Sequence, residues 1–179
     1  MKITVIGRGN VGGGLAGLWR AAGHEVQELG RDGGDASDAD VVLVAVPGGE
    51  IEAALSKVTG LAGKTAIDAT NWFGSAERPP FPSLAHQVKS IVGGPVAKSF
   101  NLNFANLYDK IDEQPERPSN VYCAHEEARG VTEQLIRDAG YEPIGAGDLE
   151  SARAIEDGLA VLIALSRAGG PVFYRYWRT

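Results

Sequence analysis

Short apolar runs alternate with amphipathic stretches along nearly the whole chain. "KITVI" (2–6) is a β-branched run that predicts a strand. After it, Val11, Leu15, Leu18, Trp19 and Ala22 fall at helical spacing, on a helix that ends at Gly23. "EVQEL" (25–29) predicts the next strand, and "VVLVAV" (41–46), apolar on both faces, a central strand covered from both sides. "EIEAALSKV" (50–58) is helical, "KTAIDA" (64–69) a strand, 71–82 a Pro/Gly-rich loop and 83–89 a short helix. "GPVAKSF" (94–100) and "NVYCA" (120–124) predict further strands. The helix at 126–140, the strand "YEPIGA" and a final helix at 149–168 complete the pattern. Strands alternating with helices define an α/β class with a mostly parallel sheet, in a single domain over 1–179.

Two local features sharpen this. "VIGRGNVGGGLAGLW" (5–19) holds six glycines in fifteen positions, where helix and strand formation both disfavour them. Within it Gly7-Arg8-Gly9-Asn10-Val11-Gly12 is G-x-G-x-x-G between a strand and a helix. In that context Gly7 makes the tight turn, Gly9 admits a pyrophosphate to the backbone, and Gly12 lets helix pack on strand. The free N–H groups of the helix start attract the phosphates. The second feature is the connection "GRDGGDASDAD" (30–40), too short for an ordinary crossover helix. About eleven extended residues reach roughly 35 Å, enough to return along a strand of roughly 20 Å. The expectation is a Rossmann-like, doubly wound fold with a shortened second crossover.

The strand-end residues decide which dinucleotide is bound. An NAD site usually carries an acid at the end of the second strand. Here that strand ends Leu29-Gly30-Arg31-Asp32, with Arg31 suited to a 2′-phosphate and Arg8 able to project toward it. NADP is the favoured cofactor, and a register shift that makes Asp32 an NAD acid is the alternative.

"MKITVIGRGNVGGGLA", "ADVVLVAVP", "IDATN", "VAKSFN" and "GAGDLESARAIEDGLAVLIAL" occur in that order across nearly the whole chain. Together they resemble the NADP oxidoreductase family that depends on the deazaflavin coenzyme F420. The resemblance implies a Rossmann domain binding NADP(H), with a deazaflavin, flavin or related acceptor beside the nicotinamide. In that family a Thr of the glycine loop and a Ser-Arg pair after the second strand hold the 2′-phosphate. The matching positions here are Arg8, Gly30 and Arg31.

Ligands of open α/β sheets sit beyond the C-terminal strand ends. Those ends are Ala45-Val46-Pro47, expected to support the nicotinamide, Asn71-Trp72-Phe73, and Ser99-Phe100-Asn101. Trp72, Phe73, Phe100, Phe104 and Tyr108 are candidates to line a cleft for a planar ring, or to close the core. Asn71, Asn101 and Asn103 are candidate amide contacts or ordinary turn residues. No His, Lys or Tyr is expected at a strand end where it would protonate a carbonyl, so no catalytic acid or base is assigned and the cofactors carry the chemistry. His24, His86 and His125 lack metal-ligand or triad spacing, and the acids of 32–40 read as a solvated loop. Hydroxyacid dehydrogenases sharing G-x-G-x-x-G…AVP need a large helical domain with a catalytic Lys, and only the helix at 149–168 follows here.

A net charge of −6 argues against nucleic-acid or anionic-membrane partners. Cys123, the one cysteine, reads as a core residue and fits a reducing compartment. No run approaches a membrane span, and the chain enters its first strand at once, so no leader is expected. A cytoplasmic location is expected. "GLAVLIAL" (158–165) is apolar all round, which predicts a homodimer through the last helix. The functional expectation is an oxidoreductase passing hydride between NADP(H) and a planar acceptor. The alternatives are a non-catalytic NADP(H) sensor and a reductase of ferric or other small acceptors.

Overall fold

Nine strands and five α-helices make up the described residues, 1–73 and 77–177, of the computed structural model. The strands are β1 (Lys2–Ile6), β2 (Glu25–Leu29), β3 (Gly34–Asp35), β4 (Val41–Val44), β5 (Val58–Thr59), β6 (Thr65–Asp68), β7 (Val96–Lys98), β8 (Ser119–Ala124) and β9 (Glu142–Gly145). The helices are α1 (Asn10–Ala21), α2 (Ile51–Leu55), α3 (Leu84–Val92), α4 (Glu126–Asp138) and α5 (Ala152–Gly169). Seven strands form one sheet in the order β2-β1-β4-β6-β7-β8-β9. Five of them are mutually parallel; β8 joins β7 antiparallel and carries β9 parallel to itself.

Alternation along the central strands divides the core between the two faces. Val41 and Leu43 of β4 belong to one apolar cluster, with Leu15, Trp19, Leu135 and Ile136 from α1 and α4. Val42 and Val44 point the other way, into a cluster with Ile51, Leu55, Val88 and Ile155 from α2, α3 and α5. All four β4 residues are buried, which explains the unbroken apolar run at 41–44. Trp19, fully buried, fixes α1 to α4 by donating its indole N–H to the Leu135 carbonyl at 2.9 Å.

The doubly wound expectation holds, and so does the shortened second crossover. Residues 30–40 contain no helix; β3 within them pairs with β5, Gly34 to Val58 and Asp35 to Thr59, in a separate two-stranded sheet. The Asp35 carboxylate accepts from the Ser37 N–H, the Ser37 hydroxyl and the Thr59 hydroxyl, and these bonds hold it below the usual carboxylate range. This acid is therefore a loop brace. Among the described residues no group of His, Cys, Asp and Glu could hold a metal ion.

The structure shortens several predicted elements. The strand at 94–100 retains only Val96–Lys98, and the helix at 50–58 becomes a 3₁₀ turn at Gly48–Glu50 followed by α2. The periodicity of the sequence did not indicate β3, β5 or the 3₁₀ segment Ala105–Lys110. Part of the predicted loop at 71–82, residues 74–76, lies outside the described residues. Cys123 is fully buried, and desolvation raises its thiol to about 12. No helix among the described residues is long and apolar enough to cross a membrane.

Candidate functional site

The chain runs from β1 outward to β2, then returns across β1 to β4, so the strand order reverses between β1 and β4. A cleft of about 1070 Å³ opens at the C-terminal ends of these three strands. This is the switch point at which open α/β sheets hold ligands.

The glycine loop forms one wall. Gly7 has φ +109°, a backbone conformation that side chains strain to adopt, and a Cβ there would lie 2.8 Å from the Ala45 carbonyl carbon. Gly12 is buried in the first turn of α1, and a Cβ on it would press on the Gly7 carbonyl and stand 3.0 Å from Val5 Cγ1. Gly9, the N-cap of α1, is different: a Cβ there would meet nothing within 4 Å. No side chain caps this helix and no acid lies in its first turn. Its start is thus open to a visitor carrying negative charge.

The other walls come from the ends of β2 and β4. Ala45, Val46 and Pro47 line the cleft after β4, together with Gly30, Arg31 and Asp32 after β2. The Arg8 guanidinium lies over Gly30, where a Cβ would come within 2.8 Å of Arg8 Nε. Lys57, beyond α2, donates from Nζ to the Arg31 carbonyl at 3.0 Å. Three cations, Arg8, Arg31 and Lys57, therefore line one cleft, accompanied by Asp32 and Glu50. Lys57 was not evident from the sequence. Its only signal was the brevity of 30–40, which holds that segment against the chain following α2.

Of the predicted residues, Gly7, Arg8, Gly9, Arg31, Ala45, Val46 and Pro47 line the cleft. Asn10, Val11 and Gly12 form the start of α1 behind it. Asn71 lies further along the strand ends, where its carbonyl accepts from the Gly48 N–H at 3.1 Å. Asn71 Nδ2 donates to the Asn101 carbonyl at 2.7 Å, and Asn101 Nδ2 to Asn71 Oδ1 at 3.1 Å. The loops after β4, β6 and β7 are thereby stitched together.

The aromatic candidates do not gather into one cleft. Phe73 is exposed, and Trp72 is partly buried, its ring 3.7 Å from where a Gly49 Cβ would stand. Phe100 departs from the expectation that it faces a ligand: it is 1% exposed. Its φ of +61° accompanies a side chain buried in the core, in an edge-to-face contact with Trp19 at 5.6 Å. Tyr108 is buried against Tyr141, Phe104 is partly buried, and the buried Asn103 donates from Nδ2 to the Ser119 carbonyl. These close the core and brace β8.

One expectation needs correction. A lysine does stand at a strand end, because β7 stops at Lys98 and not at residue 100. Lys98 is completely buried, with Nζ 2.7 Å from Asp68 Oδ2, 2.6 Å from the Thr70 carbonyl and 3.2 Å from Glu156 Oε1. Burial of Glu156 raises its carboxyl, against the opposing pull of Lys98. An ammonium with three acceptors has all its protons engaged and is not poised to protonate a substrate. The sequence signal was a Lys inside an otherwise apolar strand, which burial obliges to find a partner.

Fold and cleft together define a protein of Rossmann-like fold with an open cleft at its switch point. No protein-family model and no curated protein matches the chain. Among solved structures, the chain is similar to a protein from Arthrobacter sp. FB24 proposed to be an F420-dependent NADP reductase: TM-score 0.83, 26% identity, covering 99% of this chain and 100% of that one. It is also similar to a hypothetical protein from Sinorhizobium meliloti, with TM-score 0.68 and 23% identity over 85% of this chain and 88% of that one. A reductive aminase from Aspergillus terreus, solved with NADPH, gives TM-score 0.69 and 16% identity over 94% of this chain and 62% of that one. The latter two likenesses are of fold.

Proposed function

We propose that this chain is an NADP(H)-dependent oxidoreductase that passes hydride between the nicotinamide and a planar acceptor, a deazaflavin such as coenzyme F420 or a flavin. The observation that carries this reading is the trio Arg8, Arg31 and Lys57 in a cleft that also holds the glycine loop. Full-length similarity to the Arthrobacter protein supports it. In this reading Gly7 to Gly12 cradle the pyrophosphate, and the open space at Gly9 is the approach it uses. Arg8 and Arg31, joined by Lys57, take the 2′-phosphate, while Ala45, Val46 and Pro47 support the nicotinamide.

When bound, the nicotinamide supplies the hydride. The chain's own residues bind, orient and exclude water, and none acts as an essential acid or base. Asn71 and Asn101, stitched to each other, hold the loops beside the nicotinamide, and Trp72 with Phe73 flanks the acceptor. Following NADPH absorbance against F420, FMN, FAD, ferric chelates and quinones tests the reading; an enzyme that turns over none of them overturns it. With the competent acceptor, Trp72→Ala is expected chiefly to raise the acceptor KM. Asn71→Ala or Asn101→Ala is expected to lower kcat about 10–100-fold through misplacement. A single polar side chain whose loss abolishes turnover while both ligands still bind would refute the mechanism.

The assembly we propose is a homodimer through α5. This helix buries Ile155, Leu159 and Leu162 against its own domain, so the all-round apolar segment is half covered. Ala160, Val161, Ala164, Leu165 and Ala168 form an exposed stripe at helical spacing, Val161 being 63% and Leu165 49% exposed. Light scattering is expected to give a dimer at micromolar concentration, and Val161→Glu with Leu165→Glu a monomer. A monomeric wild type rules the dimer out.

A further inference from the structure

The buried cluster around Lys98 sits at the ends of β6 and β7, and its charges are not explained by stability. An ammonium and two carboxylates, Asp68 and Glu156, are removed from water together. Such groups are commonly replaceable by apolar residues of like volume without loss of stability. What they supply is a defined geometry, and the contacts show which geometry is held. Asp68 Oδ1 accepts the Thr70 N–H at 2.9 Å, and Lys98 Nζ donates to the Thr70 carbonyl at 2.6 Å. Both backbone polar groups of one residue are thus fixed by two members of the cluster.

The next residue carries that position across the sheet. The Asn71 carbonyl accepts the Gly48 N–H, and a Cβ on Gly48 would stand 2.7 Å from the same oxygen, so the two segments touch closely. Gly48 follows Ala45, Val46 and Pro47, which line the cleft. On the other side Asn71 exchanges side-chain bonds with Asn101, three residues beyond Lys98. From α5, Glu156 anchors the cluster further: its Oε1 accepts the Leu84 N–H at 2.8 Å, and Arg78 reaches its Oε2 at 3.5 Å.

We propose that Lys98 is a positioning residue for hydride transfer: through Thr70, Asn71 and Gly48 it sets the segment under the nicotinamide relative to the loops that flank the acceptor. The proposal rests on the oxidoreductase reading for its catalytic consequence, but not for its structural one. Lys98 is completely buried and is not among the residues that line the cleft, so its loss is expected to leave cofactor affinity in place and to spoil the alignment on which transfer between two rings depends.

Lys98→Met alone leaves Asp68 buried without its counter-ion and Glu156 with only Arg78 at 3.5 Å, so it is paired with the neutralised variant Lys98→Met/Asp68→Asn/Glu156→Gln. In whichever variant keeps a cooperative melt, the Gly48 amide is expected to exchange hydrogen about tenfold faster or more, with β1 amides changed less than about twofold. NADPH Kd is expected within about threefold of wild type, kcat about 10–100-fold lower, and the primary isotope effect on kcat with 4-deuterated NADPH larger. Unchanged Gly48 exchange in the folded variant overturns the proposal. A uniform rise in exchange with kcat per folded enzyme unchanged also overturns it, since the cluster would then be structural only. If the wild type turns over no acceptor, the oxidoreductase reading fails, and Gly48 exchange still decides whether Lys98 holds the loop.

Discussion

NADPH affinity is expected to fall about 100-fold when Arg31→Ala and Lys57→Met are combined, with NADH affinity nearly unchanged. A charge-assisted contact to a phosphate is worth about 1.5–3 kcal/mol, so Arg31→Ala alone should cost about tenfold or more. Lys57 donates to the Arg31 carbonyl and lines the same cleft, so it adds charge and also holds the segment that carries Arg31. All three cations are exposed, which makes their attraction sensitive to ionic strength; the preference for NADPH over NADH should narrow as salt is raised. Asp32 supplies the counter-test, because it lines the same cleft and is the acid an NAD enzyme would use. Asp32→Ala is expected to leave NADH binding almost untouched. Isothermal titration of both cofactors against these variants decides the matter. Equal losses for NADPH and NADH, or a wild type that prefers NADH, would mean that Arg31 and Lys57 are solvated turn residues.

The parts of this molecule legible in its sequence are those governed by local rules. The strand, glycine loop and helix at 2–21 appear where alternation and spacing put them, because the constraints on Gly7 and Gly12 come from within a few residues or from the adjacent strand. The short crossover was readable from chain length alone, since a full crossover helix would barely fit in about eleven residues. What stayed hidden depends on contacts distant in sequence. β3 and β5 are two residues each, below any period a pattern can reveal, and exist because 34–35 and 58–59 meet. The reversal of β8 is likewise invisible, as NVYCA reads the same in either direction.

Candidate side chains divide along the same line. Arg31 was visible because its place in the chain is its place in the site. Phe100 misled because an aromatic after a strand reads the same whether it faces a ligand or the core. Its positive φ and the proximity of Trp19 put it in the core, and neither leaves a trace in the local pattern. Lys98 and Asp68 each sit within a short, largely apolar run, the one local signal of the cluster, and only the fold brings Glu156 to them from 58 residues beyond Lys98.

Gly9→Ala and Gly12→Ala, three residues apart, are expected to fail in opposite ways. At Gly12 the added methyl presses on the Gly7 carbonyl and meets Val5 Cγ1 at 3.0 Å, and neither strand nor helix can retreat. Overpacking of this kind costs about 1–3 kcal/mol and more where backbone is the obstacle. At about 2–4 °C per kcal/mol for a chain of this size, Tm should fall by roughly 10 °C. At Gly9 the methyl meets nothing within 4 Å, and φ is −77°, so the backbone accepts alanine. A poorer N-cap costs about 1 kcal/mol, and the lower entropy of the unfolded chain offsets about 0.4–1 kcal/mol of it. Tm should therefore move by no more than about 3 °C. The same methyl occupies the space through which a pyrophosphate would reach the N–H groups at the start of α1. The loss of one such charge-assisted contact weakens NADPH and NADH alike, about tenfold or more. Melting curves and titrations on the two variants separate these effects. A Gly9→Ala protein that melts normally and binds both dinucleotides as wild type does would show that no phosphate approaches the loop at that point.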